Sequence, residues 1–321
     1  MYRYVAGRLV QGVLLVMVVI TLSFLFIQLA PGDAVTYLYG TQNLSAEALA
    51  RIRHEWGLDR PLWAQYGTYL GNLFSGNLGY SQVNRQPVTY LLGVMVPKTL
   101  LLMAPSIIIA SAIGILLGAI AARAMDSWKD YTIGTVSLVG YSMPPFWLGI
   151  IFIIVFASIL RWLPTQGMQT LGSGATGLAR AFDTVRHMVL PTAVLVWWYM
   201  AAITRLTRVA MLEELSKPYL TTARMKGLSE GRVFLHHALR NAAKPVLTIL
   251  GLHLGTMFAG AVLTEVVFAW PGVGRLLFNA IIQHDYPVVL GTFIVVGSAV
   301  VVVNLIIDLM YALVDPRIHY V

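Results

Sequence analysis

Cysteine is absent from this 321-residue chain, so neither a disulfide framework nor thiolate chemistry is open to it. Charge is scarce as well: Asp, Glu, Lys and Arg make up 11% of residues, against 58% apolar residues and a mean hydropathy of +0.73. That balance lies far from soluble domains and points to a membrane protein. A net charge of +8 could suggest nucleic acid, but in a membrane protein the distribution of charge carries more information than its sum, and no nucleic-acid partner is expected. Catalytic signatures are missing too. None of the five lysines follows a glycine, which excludes a G-x-x-x-x-G-K-[ST] phosphate loop. His236 and His237 are adjacent rather than spaced as H-E-x-x-H, and there is no G-x-S-x-G elbow. The chain is expected to hold no metal or cofactor and to catalyse nothing by itself.

What is present is hydrocarbon in bilayer-length runs. About 20 residues at 1.5 Å each cross a membrane, and six such runs occur, near 9–30, 99–122, 132–160, 189–210, 246–267 and 288–313. The apolar core Leu9–Ala30 is longer than the ~7–15 residues of a signal peptide, so the first run reads as an uncleaved anchor. With the N-terminus inside, thirteen Lys and Arg residues fall in cytoplasmic segments and four in the two short outer loops. Five more lie in the outer stretch 31–98, which is too long to obey the rule. The expected organisation is a tail and first span (1–30), an external helical segment (31–98) and a five-helix core (99–321) with a cytoplasmic loop at 211–244. Both termini are expected in the cytoplasm.

Local patterns refine this layout. In the external segment, Ser45 is placed to cap a helix, with Leu44 and Leu49 as a hydrophobic staple and Leu49, Ile52 and Trp56 on one face. A second helix from Pro61 carries the stripe Trp63, Tyr66, Leu70 and Phe74. Both read as amphipathic helices lying on the outer surface or on the spans. Ala110, Gly114, Gly118 and Ala122 recur every fourth residue, a face that either packs closely or lines a path. The third run is interrupted by GYSMPPFWLG. Pro144 and Pro145 remove two backbone donors, leaving two readings open: a kink alone, or Tyr141, Ser142, Met143, Pro144, Pro145 and Trp147 bordering a translocation path. Asp308 sits near the inner end of the last span with Asn304 on its face, and His253 stands alone in the fifth. Glu213 and Glu214 read as solvated.

The exception to the hydrocarbon is YLTTARMKGLSEGRVFLHHALRNAAKP, residues 219–245. Residues 219–226 favour a short helix, Gly227 suits a left-handed stop, and Ser229 can cap a second helix. The apolar side of that helix is Phe234, Leu235, Ala238, Leu239 and Ala242, and Pro245 is expected to open the next span. Two short capped helices with a defined elbow make a docking element or a membrane-surface helix pair.

At these residues the chain resembles the permease subunits of ATP-binding-cassette importers, in the dipeptide, oligopeptide and nickel branch. That family's cytoplasmic loop reads E-A-A-x-x-x-G. Thr221, Thr222 and Ala223 stand at E-A-A, and Gly227 stands at the glycine. The branch's R-T-A-R-A-K-G form is matched at Thr222, Ala223, Arg224, Lys226 and Gly227, and HALRNA (237–242) with Pro245 continues it. Further matches are PGD at 31–33, LTEVVFAWPGVGRLL at 263–277, DYPVV at 285–289 and DPRI at 315–318; Ala34 departs from the usual proline. The resemblance implies an all-α polytopic protein with six transmembrane helices, the type I importer fold, in the bacterial cytoplasmic membrane. It implies that Thr222, Ala223, Arg224, Lys226, Gly227, Leu228, His237, Arg240 and Asn241 couple to an ATPase. The implied partners are a second homologous permease in a heterodimer, two cytoplasmic subunits that bind ATP and Mg, and an external substrate-binding protein, with di- or oligopeptides as cargo. The rival is an ion-gradient-driven secondary transporter. It would need inverted repeats with broken helices in both halves and carboxylates near the midplane; one broken run and no central carboxylate are found.

Overall fold

The computed structural model of the chain describes residues 2–29, 45–55, 57–257 and 262–314. Leu44, Trp56 and the PGD and DPRI motifs lie outside these residues, as does the side chain of Asp308.

Two compact units are present, the first made of residues 1–99 and 272–321 and the second of 100–271. In the first unit, α1 (Tyr2–Leu29) is followed by α2 (Ala46–Glu55) and α3 (Leu62–Phe74). The Ser45 hydroxyl accepts from the Ala48 amide at 3.2 Å, so α2 has the cap its sequence suggests. A short antiparallel pair, β1 (Tyr80–Ser81) with β2 (Gln86–Pro87), leads into α4 (Val88–Arg123). After the second unit the chain returns as α12 (Val273–Ile282) and α13 (Tyr286–Val314). Val88, Leu92, Val273, Ala280 and Val288 form the core here. Ser81 donates to Asp285 at 2.5 Å, with Ser81 fully buried and Asp285 nearly so, which ties the β pair to the start of α13.

The external stripe is half right. α3 lies against α1 through Tyr66, whose hydroxyl meets that of Thr21 at 2.7 Å and whose ring lies 5.2 Å from that of Phe24. Leu70 is half-buried, but Trp63 and Phe74 are 78% exposed. A single neighbouring helix covers only the middle of an aromatic stripe, and the two ends stay outside.

In the second unit, the remainder of α4 is followed by α5 (Trp128–Ser142) and α6 (Pro145–Phe152), the latter continuing as a π-helical stretch, Ile153–Ile159. Then come α7 (Gly177–Leu215), α8 (Pro218–Met225) and α9 (Glu230–Arg232). A π-helical stretch Val233–Ala238 leads into α10 (Leu239–Thr256), and α11 (Val262–Val267) completes the unit. The four-residue stripe of α4 is a packing face. A Cβ on Gly118 would stand 2.5 Å from the Thr204 carbonyl oxygen, and one on Gly114 would stand 2.8 Å from Ile203. Only glycine lets α4 and α7 approach so closely.

Four described helices are long and apolar enough to cross a bilayer, with segments 6–26, 88–123, 177–215 and 286–307, and the bent pair α5 and α6 adds a fifth only if it is one broken span. The expected six is not reached among the described residues. The fifth expected span, 246–267, falls on α10 and α11, and residues 258–261 between them lie outside the description. The polar residues Arg240, Asn241 and Lys244 occupy the start of α10.

Candidate functional site

The elbow is built from its ends inward. Pro218 opens α8 at a position where its missing N–H costs nothing. At the other end Lys226 is the C-cap and Gly227 has φ +77°. The Gly227 amide donates to the Arg224 carbonyl at 2.9 Å and the Leu228 amide to the Ala223 carbonyl at 3.4 Å. Those two bonds are the Schellman closure, in which the positive φ of the residue after the cap reverses the chain. Arg224 also pairs with Glu230 at 2.9 Å, bracing the two arms of the elbow.

Beyond the turn the structure departs from the expectation of a second short helix. Ser229 occupies the cap position, but its side chain makes no capping bond; its carbonyl serves the Arg232 and Val233 amides instead. From Glu230 the chain stays helical through the π-helical stretch into α10, and Pro245 lies inside α10 rather than opening a span. One arm of the elbow is therefore short and the other is the beginning of a long helix. The π stretch adds a residue to the turn and rotates the apolar side. Val233, Phe234, Ala238 and Ala242 are buried, Leu239 is partly buried, and Leu235 is 61% exposed.

These residues share a core with Leu220 of α8, Ala119 and Ala122 of α4, and Ala210 and Met211 of α7. Ala223 and Leu228 pack against it. Thr222, Arg224, Lys226, Gly227 and Arg240 face outward, and His237 and Asn241 are half-buried. The coupling residues suggested by sequence thus divide into an inner pair, an exposed rim and two residues with a structural bond.

That bond belongs to a polar cluster the sequence reading missed. Glu214, at the end of α7, is only 7% exposed, contrary to the solvated reading. Lys217 donates to one of its carboxylate oxygens and the Tyr219 hydroxyl donates to the other at 2.6 Å. Asn241 Nδ2 donates to the Tyr219 oxygen at 2.9 Å and to the His237 carbonyl at 3.1 Å. The chain of bonds runs from α7 through α8 to α10 and lines a cavity of about 390 Å³. Burial, followed by its bond to the Glu214 carboxylate, holds the Tyr219 hydroxyl above its usual pKa, and the same carboxylate raises that of Lys217. The only sequence signal was the Glu214/Lys217 spacing of three, the interval at which helical side chains meet.

The double proline breaks its helix outright. A residue before proline is driven to extended backbone; Met143 has φ −83°, ψ 126°, and Pro144 follows at φ −60°, ψ 130°. Pro145 starts α6, and the Trp147 and Leu148 amides both bond the Pro144 carbonyl at 3.1 Å. α5 and α6 meet at 99°, so the expected run 132–160 is no simple kinked span. Tyr141, Ser142, Pro144 and Trp147 are exposed, while Met143 and Pro145 are half-buried. The Arg205 guanidinium lies over the Tyr141 ring at 5.6 Å. The break and the elbow are separate places on the second unit.

Residues 114–320 match the family described as the binding-protein-dependent transport system inner membrane component, and residues 1–103 match its N-terminal companion. The di/tripeptide transport system permease protein of Pseudomonas aeruginosa is 42% identical, covering 100% of this chain and 99% of its own. The oligopeptide transport system permease protein of Bacillus subtilis is 39% identical over 100% of both chains. The dipeptide transport system permease protein of Escherichia coli is 40% identical over 93% of each. An elbow seated on the helix ends and a set of apolar spans thus accompany full-length similarity to transport permeases, and the chain belongs to the binding-protein-dependent transport system inner membrane components.

Proposed function

We propose that this chain is one of two homologous permease subunits of an importer for di- or oligopeptides, fed by an external binding protein and driven by separate ATP-binding subunits. ATP and Mg would be bound in those subunits, consistent with the lack of a phosphate loop here. The peptide cargo is inferred from the relatives' names. Both termini and residues 211–244 would be cytoplasmic, on the strength of the distribution of basic residues.

The observation that carries the coupling reading is the elbow's construction. Its exposed rim, Thr222 to Gly227, is held by a Schellman turn, an ion pair and a core reaching α4 and α7. A force applied to α8 by a closing ATPase would reach α7 through Glu214 and α10 through Asn241, because both bonds pass through Tyr219. Tyr141 to Trp147 would border the path at the helix break, where freed backbone groups need protein or water. The test is reconstitution of the chain with its partner subunits in vesicles. ATP-dependent uptake of a labelled dipeptide should require the binding protein and every subunit. Uptake driven by an ion gradient without ATP would overturn the reading.

A further inference from the structure

The hollow between α5 and α7 shares Tyr141 with the helix break and holds charges that the elbow does not account for. It measures about 330 Å³, with Gly134 on one wall and Ala201 on the other leaving the space. Its floor carries a closed ion pair: Arg208 donates twice to the buried Asp130, each bond 2.6 Å long. Two further charged groups line the cavity without an opposite charge bonded to them among the described residues. Arg205 has the face of Tyr141 as its partner, which leaves its five donors unfilled. The Asp126 carboxylate, in the turn before α5, accepts no hydrogen bond from a described residue, with the Arg208 guanidinium as its charged neighbour. Thr204, 2% exposed, is on the same wall, but its hydroxyl oxygen is sealed from the hollow and has no partner among the described residues.

These features describe a ligand. A guanidinium with open donors calls for an anion, and a carboxylate that accepts no hydrogen bond from a described residue can take a cationic donor in the same hollow. The four charged side chains sum to zero, so the best-matched ligand is a zwitterion with no net charge. Depth narrows the choice. Arg205 lies ten residues before the end of α7 at Leu215, about 15 Å along the axis. α7 has 39 residues, roughly twice what a bilayer core needs. On the orientation given by the basic residues, the hollow therefore lies at the inner end of the spans, with Asp126 and Asp130 on its headgroup side. Its surroundings are apolar and aromatic and open to the outside: Trp128 is 72% exposed, Tyr131 65% and Leu138 59%. Such a rim suits acyl chains.

We propose that the α5/α7 hollow binds the head group of an inner-leaflet phosphatidylethanolamine. Arg205 takes its phosphate, Asp126 takes its ammonium, and the acyl chains run over Leu138 and Tyr131. The probes are phosphatidylethanolamine, phosphatidylcholine and phosphatidylglycerol, offered to the purified full chain in detergent and read as retained lipid by native mass spectrometry. Phosphatidylcholine keeps the phosphate and the charge but cannot donate from nitrogen, so the wild type should favour phosphatidylethanolamine by roughly fivefold. Asp126→Asn should bring the two within about twofold, and Arg205→Gln should weaken all three lipids by a comparable factor. Equal retention of phosphatidylethanolamine and phosphatidylcholine by wild type overturns the proposal. So does displacement of bound lipid by inorganic phosphate alone, which would make this a soluble-anion site. Displacement by a dipeptide at similar concentration would instead assign the hollow to the transported substrate.

Discussion

Gly227 offers a clean perturbation because two effects that usually travel together are separated there. A Cβ built on it meets nothing within 4 Å, so a side chain would not clash inside the chain. The whole cost comes from φ +77°, where an L-residue is disfavoured by about 1–2 kcal/mol and a β-branched one by up to about 3. At about 2 kcal/mol the population holding the Schellman turn falls roughly 30-fold. The core under the elbow does not include Gly227, so the spans should insert and the subunits assemble. The series Gly227→Asn, Gly227→Ala and Gly227→Val should therefore be graded, Asn mildest because it enters this region readily and Val most severe. The assay is dipeptide uptake and binding-protein-stimulated ATP hydrolysis measured together in vesicles. Transport per ATP should fall along the series while the complex stays intact. A Val variant that transports like wild type would refute the turn's role. An Asn variant as defective as Val would show that the partner surface excludes any side chain, and that backbone conformation is not the cause.

Three other outcomes follow from distances. Tyr219→Phe removes the donor to Glu214 and the acceptor for Asn241, and a bond to a charged group contributes about 1.5–3 kcal/mol; it should lower transport per ATP while thermal stability drops by only a few degrees. Gly118→Ala places a methyl 2.5 Å from the Thr204 carbonyl oxygen, so α4 and α7 must separate at a cost of about 1–3 kcal/mol; this should appear as reduced yield and an earlier thermal transition, whereas Gly134→Ala, with open space, should show neither. Replacing Pro144 and Pro145 together with alanine lifts the constraint on Met143 and should straighten α5 into α6; uptake should change, and wild-type uptake in a properly inserted double variant would leave the break without a role in transport.

Much of this site is legible in the sequence because its determinants are local. Pro218, Gly227 and the residues between them specify a helix and its stop within one turn of chain. The same holds for Pro144 and Pro145, although the size of the bend is set by how α6 then packs, with Leu148 in a core with Leu190 and Phe268. What escaped detection is non-local. The burial of Glu214 depends on α8 and α10 folding back over it, which no spacing around residue 214 reveals. The continuity of α9 into α10 was hidden by Pro245, a residue that normally marks a boundary but is tolerated inside a membrane helix.

The central claim is that the rim of the elbow touches an ATPase subunit, and cross-linking measures this directly. The chain has no native cysteine, so a single one can be placed at the exposed Met225 without background. In the assembled complex, a short thiol cross-linker should join Met225→Cys to a cysteine in the ATP-binding subunit, with a yield that changes on adding ATP. The same experiment with Leu171→Cys, exposed in the segment expected outside, should give no such product. Cross-linking of the position-171 variant but not the position-225 variant to the ATP-binding subunit would contradict the account.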